Sequence, residues 1–398
     1  MTNLSSEYST HWKDLGTVLV YQTPDFQFHS SVIITEFEDC LIKRLAGKKM
    51  YHSINPKSIS LHDDEFVKKI REESKDLSIV IISNQISTNK LIIDMIKSKL
   101  EQFIKIHKIP ILAMFALKPN RLSKPHTGLW TLLNAYYRSK GKTQIQKSCI
   151  VSDFGGCITE NVRKNGDVTV STSISDVDRA FATNIGVPFY TIKEYLNPHI
   201  TERFTWNNKS LSPELRKMYI ETLSKYKNPN IFAKLAELGE SDGYMILIYG
   251  APCSGKTTLA KELISKWRSS EYGKRHAIKR LGRDKYSKTR RITLAKKLLA
   301  DHITVIIDGD CHNVLLRSPF EQIANELKIP ILYIEVNPSI DFAYIFNHVA
   351  VETSQDEEKI LYSDREYFIY KSNNSRPADT ILYAPIIKQT EQIMNYRY

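Results

Sequence analysis

The sequence lacks paired cysteines. Its 398 residues hold five, Cys40, Cys149, Cys157, Cys253 and Cys311, an odd count with no Cys-x-x-Cys spacing. That argues against a disulfide framework or a cysteine zinc site and fits a reducing intracellular compartment, nucleus or cytoplasm. No run approaches ~18 apolar residues, so nothing is expected to span a membrane. The N-terminal stretch MTNLSSEYSTHWKDLG has no apolar signal core. No internal repeat is visible. Acidic residues are in deficit, 44 against 56 basic ones, which leaves a net charge of +12. Such an excess favours an anionic partner such as nucleic acid and says little about fold.

What is present is long enough for two or three domains. A first series of apolar segments runs as TVLVY (17–21), SVIITEF (31–37), LSIVIIS (77–83), IPILAMFAL (109–117) and KSCIVSD (147–153). Amphipathic stretches such as DEFVKKIREES (64–74) and NKLIIDMIKSKLEQFIKI (89–106) lie between them. This alternation predicts an α/β domain with a mainly parallel sheet covered on both faces, over residues 1–198. Residues 199–243 carry Pro, Asn and Ser punctuation and read as a connector with some helix. A second α/β series fills 244–398, with strands at YMILIY (244–249), HITVIID (302–308) and IPILYIEV (329–336). Ligands of such sheets bind beyond the carboxyl ends of the strands. The chemically suggestive residues at 36–39, 83–85, 153, 250–257 and 308 all sit there.

Gly250-Ala251-Pro252-Cys253-Ser254-Gly255-Lys256-Thr257 matches the phosphate-loop pattern G-x-x-x-x-G-K-[ST] in full. An apolar strand precedes it and a helix, TTLAKELISKW, follows. Glycines let backbone N–H groups turn inward around phosphate oxygens, and the helix N-terminus adds partial positive charge. Gly250, Ser254, Gly255, Lys256, Thr257 and Thr258 are the expected nucleotide contacts. Lys256 reaches the β- and γ-phosphates of ATP and Thr257 takes Mg²⁺. Asp308, ending HITVIID, is a second Mg²⁺ candidate. Asp284, in GRDKYSK, is placed to take a proton from a hydroxyl acceptor. Its plain alternative is a solvated acid in a basic run. Residues 266–291 hold eleven Lys or Arg against Glu271 and Asp284, with Trp267, Tyr272 and Tyr286 interleaved. That suits a polyanionic acceptor better than a small neutral one. A solvated basic helix face is the bland reading of the same run.

In SVIITEFEDCLIKR (31–44) a short apolar strand delivers Glu36, Glu38 and Asp39 to its C-terminal end. Many α/β phosphatases present two aspartates, one residue apart, in this way. Here two glutamates take that spacing.

Together with VIISNQ (80–85), SKPHTGLW (123–130) and DRAFATNIGVPF (178–189), the phosphate loop and GRD make the chain resemble the polynucleotide kinase 3′-phosphatase family from HWKDLG to about residue 370. The resemblance implies an N-terminal phosphatase domain of the haloacid dehalogenase superfamily and a C-terminal P-loop kinase domain, without a forkhead-associated domain. It implies ATP and Mg²⁺ as cofactors, nucleic acid with 5′-hydroxyl ends (DNA or RNA) as substrate, and repair or ligation proteins as partners. In the family the first phosphatase strand ends in Asp-x-Asp-Gly-Thr, the first Asp attacking phosphorus and the second protonating the leaving hydroxyl. These positions are Glu36, Glu38, Asp39 and Cys40 here. The phosphate-binding Ser83, the charge-neutralising Lys124 and the Mg²⁺-binding Asp153 match, while Ser152 replaces a glycine. A Glu is longer than an Asp by ~1.5 Å, and displacement of a reacting group by about 1 Å can cost ~10²-fold. Asp39 is expected to face away from Glu36 by strand alternation. In the kinase half Arg317 matches a family arginine, but His348, within IDFAYIFNHVAVE (340–352), stands where a lid arginine is expected.

Three readings stay open: a 5′-hydroxyl polynucleotide kinase with a silenced phosphatase domain, a non-catalytic end-binding or scaffold protein, and a small-molecule kinase. The basic stretch disfavours the third.

Overall fold

The computed structural model describes residues 11–43, 59–141, 144–162, 168–172, 175–206, 213–309, 311–336, 340–354, 359, 361, 362 and 364–384. The chain divides into two compact units. The first comprises Met1–Ser210, Val351–Leu361 and Asn395–Tyr398, the second Leu211–Ala350 and Tyr362–Met394.

The first unit is built on a seven-stranded sheet. In chain order its strands are β1 (Trp12–Asp14), β2 (Val18–Gln22), β3 (Ser31–Thr35), β4 (Ser78–Asn84), β5 (Ile111–Ala116), β6 (Lys147–Val151) and, after the antiparallel hairpin β7 (Ile158–Val162) and β8 (Val168–Thr172), β9 (Phe189–Tyr190). Their order in the sheet is β1-β2-β5-β4-β3-β6-β9. The strands from β5 to β9 are parallel, but β2 pairs antiparallel with β5 and β1 antiparallel with β2. TVLVY is therefore not a parallel strand; it closes one edge as part of a β1–β2 hairpin. Alternation along each strand feeds two cores. Leu19, Ile33, Ile79, Ile81 and Phe115 pack one face with helices α1 (Asp64–Glu73) and α2 (Lys90–His107). Val20, Ile34, Val80, Ile82 and Met114 pack the other with α3 (Gly128–Ser139) and α4 (Val177–Ile185). Each buried aliphatic side chain contributes on the order of 1.5–3 kcal/mol. The helix starts follow their caps: Asp63 accepts from the Phe66 N–H and Asn89 from the Leu91 N–H. The short helix α5 (Ile192–Leu196) follows β9 behind a Thr191–Glu194 capping box.

The second unit opens with α6 (Pro213–Lys225) and α7 (Ile231–Glu237), inside the stretch read as a connector. Ile231 and Leu235 of α7 are buried in this unit's core. Its sheet has the order β11-β12-β10-β13-β14, with every pair parallel. The strands are β10 (Met245–Tyr249), β11 (Ile278–Gly282), β12 (Thr304–Asp308), β13 (Ile331–Val336) and β14 (Ile381–Tyr383). One face takes α7 and α8 (Lys256–Arg268), through Leu259, Leu263 and Trp267. After the one-turn helix α9 (Glu271–Arg275) come α10 (Lys288–Ala300) and α11 (Val314–Glu326), which cover the other face through Leu299, Phe320 and Ile323. The stretch 340–352 is helical, α12 (Ile340–Glu352), and α13 (Asp364–Asn373) follows it. Among the described residues no helix is long and apolar enough to cross a membrane. The five cysteines form no disulfide with one another.

In both sheets the order of strand addition reverses at the first strand of the parallel set. β3 has β4 on one side and β6 on the other; β10 has β12 and β13. The crevice at such a switch point is where an α/β sheet places its ligand.

Candidate functional sites

In the first unit the switch point gathers Glu36, Ser83, Lys124, Ser152 and Asp178. Lys124 is fixed from its backbone, which exchanges two hydrogen bonds of 2.8 Å with the Asn84 side chain. Its Nζ lies 2.7 Å from Glu36 Oε2 and 2.6 Å from Asp178 Oδ1. All three side chains are buried. Burial disfavours the charge on Lys124, yet Asp178 and Glu36 outweigh it and hold the ammonium above its ordinary pKa. For Glu36 burial wins over Lys124 and raises the carboxyl. The Ser83 hydroxyl also hydrogen-bonds Glu36, and Glu36 Oε1 accepts from the Phe37 N–H at 2.8 Å.

Glu38 and Asp153 do not join that cluster. Glu38 Oε1 is taken by Lys99 of α2 at 2.6 Å. Asp153 Oδ2 pairs with His62 Nε2 at 2.8 Å, and the hydrogen bond to Asp153, against partial burial, raises the His62 pKa. The expectation for Asp39 needs correction. β3 ends at Thr35, so strand alternation does not reach Asp39. Asp39 instead has φ of 62°, the left-handed region that favours glycine. The residue resembling a family glycine thus keeps the glycine conformation.

Asp178 was not singled out by sequence reasoning. Its signal was an acid at i, i+3, i+4 spacing with Phe181 and Ala182, on the buried side of α4. Its Oδ2 accepts from the Ser152 hydroxyl at 2.6 Å, and the Cys40 thiol donates to the same Ser152 oxygen at 3.4 Å. Two of the residues that depart from the family pattern, Cys40 and Ser152, therefore contact each other. Burial first of all holds the Cys40 thiol well above its usual pKa, so it stays protonated as a donor.

Lys124→Met leaves Glu36 and Asp178 buried without a counter-charge. We expect it to lower the stability of the first unit by about 3–5 kcal/mol, measured by urea unfolding. Pairing it with Asp178→Asn should recover part of the loss. An unchanged unfolding midpoint for the single variant would show that the ion triad is not held as described.

In the second unit β10 ends in the phosphate loop. Gly250 and Gly255 have φ of 151° and 98°, and Cys253 takes the left-handed region at 57°. A Cβ on Gly250 would fall 2.2 Å from the Val336 carbonyl oxygen and 2.7 Å from Ser254 Oγ, so only glycine fits. Ser254 Oγ is buried in the loop with no hydrogen-bond partner among the described residues. Lys256 Nζ donates to the carbonyls of Gly250 and Ala251 at 3.0 and 2.6 Å, within the loop. Lys256, Thr257 and Thr258 form the first turn of α8, with Gly255 as N-cap. An inward-turning glycine loop, an unpartnered hydroxyl, an ammonium and a helix N-terminus make a cradle that fits phosphate oxygens. Thr257 Oγ1 donates to Asp308 Oδ2 at 2.8 Å, a pair of hard oxygen donors that suits Mg²⁺.

The end of β11 adds a residue that sequence reasoning missed. Arg280 places Nε 2.7 Å from Asp308 Oδ2 and Nη2 2.7 Å from Asp284 Oδ1. It therefore links the acid of the GRD turn to the acid ending β12. Partial burial would raise the Asp284 pKa, but Arg280 outweighs that and holds the carboxyl below its ordinary range. Alternation along β11 was the available signal, since Ile278 and Arg280 share one face and Leu281 the other. Arg317 is buried, with Nε on Glu321 at 3.0 Å and Nη1 on the Ser375 carbonyl at 2.5 Å. His348 is buried on α12 with its ring 5.0 Å from that of Tyr344.

The basic stretch is more focused than its count suggested. Lys266, Lys274 and Arg275 pair with Glu262, Glu271 and Glu240. Arg280 turns inward and Arg291 is buried. Trp267 lies in a core, with Tyr272 and Tyr286 packed against cores, so these aromatics are not an open stacking surface. Lys279, Arg283, Lys285, Lys288 and Arg290 remain exposed around Asp284.

Residues 31–196 match the family model described as polynucleotide kinase 3 phosphatase. The chain is similar to the polynucleotide 3′-phosphatase ZDP of Arabidopsis thaliana, 26% identical over 214 residues, 48% of this chain and 27% of that protein. It is also similar to the bifunctional polynucleotide phosphatase/kinase of Schizosaccharomyces pombe, 26% identical over 357 residues, 86% of this chain and 76% of that protein. The chain thus spans about a quarter of the plant relative and three quarters of the yeast one. Among solved structures, Kti12 of Chaetomium thermophilum in complex with ADP-AlF3 covers 38% of this chain and 95% of its own, at 16% identity and a TM-score of 0.31. A score that low supports no conclusion about fold or function.

Proposed function

Residues 31–196 belong to the polynucleotide kinase 3 phosphatase family, and from that premise we propose that the chain is an ATP-dependent 5′-hydroxyl polynucleotide kinase with a silenced 3′-phosphatase half. It acts in nucleic-acid end processing. One observation carries this reading: the β11 turn brings Asp284, through Arg280, to Asp308 and Thr257 at the mouth of the phosphate loop. A hydroxyl near Asp284 would give up its proton there, while the loop and Lys256 hold the donor phosphates. Thr257 and Asp308 would hold Mg²⁺, which supplies charge neutralisation on the phosphates. The exposed cations around Asp284 suit the phosphodiester backbone of the acceptor. Transfer of label from ATP to a 5′-hydroxyl oligonucleotide tests the reading, and no transfer above background sinks it.

The paired state of Glu36 with Lys124 and of Glu38 with Lys99 also favours a second reading. In it the protein binds nucleic-acid ends without acting on them. The same assay separates the two.

Binding should depend steeply on salt. If about four backbone phosphates are neutralised, duplex affinity falls ~10²-fold between about 50 and 200 mM monovalent salt. Fluorescence-anisotropy titrations at the two concentrations measure this. An affinity that hardly moves would favour a small-molecule acceptor. Replacing Lys285 and Lys288 by Ala should flatten the slope.

A further inference from the structure

Arg280 stands out among the basic residues of its stretch. Its side chain is 9% exposed, and the Asp308 side chain 3%. Two of its nitrogens, Nε and Nη2, approach the same Asp308 oxygen, at 2.7 and 2.6 Å. Nη2 is 3.4 Å from Thr257 Oγ1. Nη1 and Nη2 hold the two oxygens of Asp284 at 3.2 and 2.7 Å. Gly282 makes the room: a Cβ there would lie 2.2 Å from Asp284 Oδ1 and 2.4 Å from Arg280 Nη2. A buried carboxylate such as Asp308 needs a positive partner, since an uncompensated charge in that setting is costly. The guanidinium provides one on the two oxygen donors that suit a divalent ion.

We propose that Arg280 is a resident cation of the kinase site, which neutralises Asp308 in the nucleotide-free protein and must release it before a divalent ion binds, while its other edge keeps Asp284 aimed into the site. The inference rests on the kinase reading for the roles of Thr257 and Asp308. A divalent ion then meets a site that is competent for only a fraction of the time, and its apparent affinity is reduced by that fraction. Arg280 is a positioning residue for Asp284, held by the planar two-pronged pairing that only a guanidinium makes.

Mn²⁺ binding to the nucleotide-free full chain, followed by electron paramagnetic resonance, tests this without any turnover. Arg280→Gln should bind Mn²⁺ about tenfold tighter than wild type. Adding Asp308→Asn to Arg280→Gln should remove the gain. Equal or weaker binding by Arg280→Gln would overturn the proposal, as would a gain that survives Asp308→Asn. Should Arg280→Gln fail to fold, Gly282→Ala takes its place. Its Cβ crowds the guanidinium without deleting a charge, and it should also tighten Mn²⁺ binding; unchanged or weaker binding would count against the proposal. Kinase kinetics add a second readout. In Arg280→Gln, kcat should fall while the metal concentration at half-maximal rate also falls; a purely structural role would not lower the latter. A wild type that transfers no phosphate while Arg280→Gln gains Mn²⁺ affinity would end the kinase reading and leave the role of Arg280 intact.

Discussion

Asp284→Asn is expected to lower phosphate transfer from ATP to a 5′-hydroxyl oligonucleotide by ~10²–10⁴-fold, the usual contribution of a positioned general base. The nucleotide should still bind, because the phosphate loop does not include Asp284. The Asp284 side chain is 52% exposed, so an acceptor can reach it, and Arg280 holds its carboxyl below the ordinary range. An Asn in its place keeps the shape, accepts no proton and gives up the ion pair. Lys256→Ala should behave differently. It removes the ammonium of the loop and with it charge on the β- and γ-phosphates, so both nucleotide affinity and transfer fall, the latter by ~10²–10³-fold or more. Single-turnover transfer and the binding of a fluorescent ATP analogue, measured on the same preparations, separate the two patterns. If Asp284→Asn turned over like wild type, the proton would leave by another route and the proposed role of Asp284 would be wrong. If Lys256→Ala alone kept full transfer, the loop would not be the donor site.

The elements were legible where the signal is local. Apolar runs bounded by polar punctuation gave β3, β4, β5, β10, β12 and β13 to within a few residues. Ser287 caps α10 by accepting from the Arg290 N–H, a helix start that the reading of the sequence did not place. The phosphate loop was legible because its pattern names backbone geometry, and the positive φ values at Gly250 and Gly255 are that geometry. The antiparallel edge at β2 was not, since a short apolar run reads alike in either direction. Nor were the contacts that give the sites their electrostatic character. Asp178 meets Lys124 from a different helix, far along the chain, and no local pattern announces such a pair. Arg280 looked like one basic residue among eleven. Its inward turn depends on the parity of a position in β11 and on a glycine two residues later. The same parity fails at Asp39, which lies past the end of its strand.

The native protein should release no phosphate from a 3′-phosphorylated oligonucleotide, and a short set of reversions should restore release. Glu36 is one carbon–carbon bond longer than the Asp of the family pattern, ~1.5 Å, and its carboxylate rests on Lys124 at 2.7 Å. Glu38 is drawn to Lys99 at 2.6 Å. The variant Glu36→Asp, Glu38→Asp, Asp39→Gly, Cys40→Thr shortens both carboxylates and puts glycine where φ is already 62°. Asp39→Gly adds a point in the variant's favour, since relief of a left-handed non-glycine residue is worth about 1 kcal/mol. Cys40→Thr is the difficult step. Cys40 is fully buried and its sulfur sits 3.4 Å from Ser152 Oγ, which is itself bonded to Asp178. A branched threonine side chain must displace that serine, so overpacking costs about 1–3 kcal/mol unless the serine goes too. The fourfold variant should therefore release phosphate weakly, and adding Ser152→Gly should raise the rate by freeing both the space and the Asp178 oxygen. Phosphate release with Mg²⁺ present, from proteins purified side by side, is the measurement. Robust release by the native chain would mean that glutamates serve here and that the site is not silenced. Equal rates with and without Ser152→Gly would mean that Cys40 and Ser152 are not a linked pair of changes, leaving the fault in the two carboxylates alone.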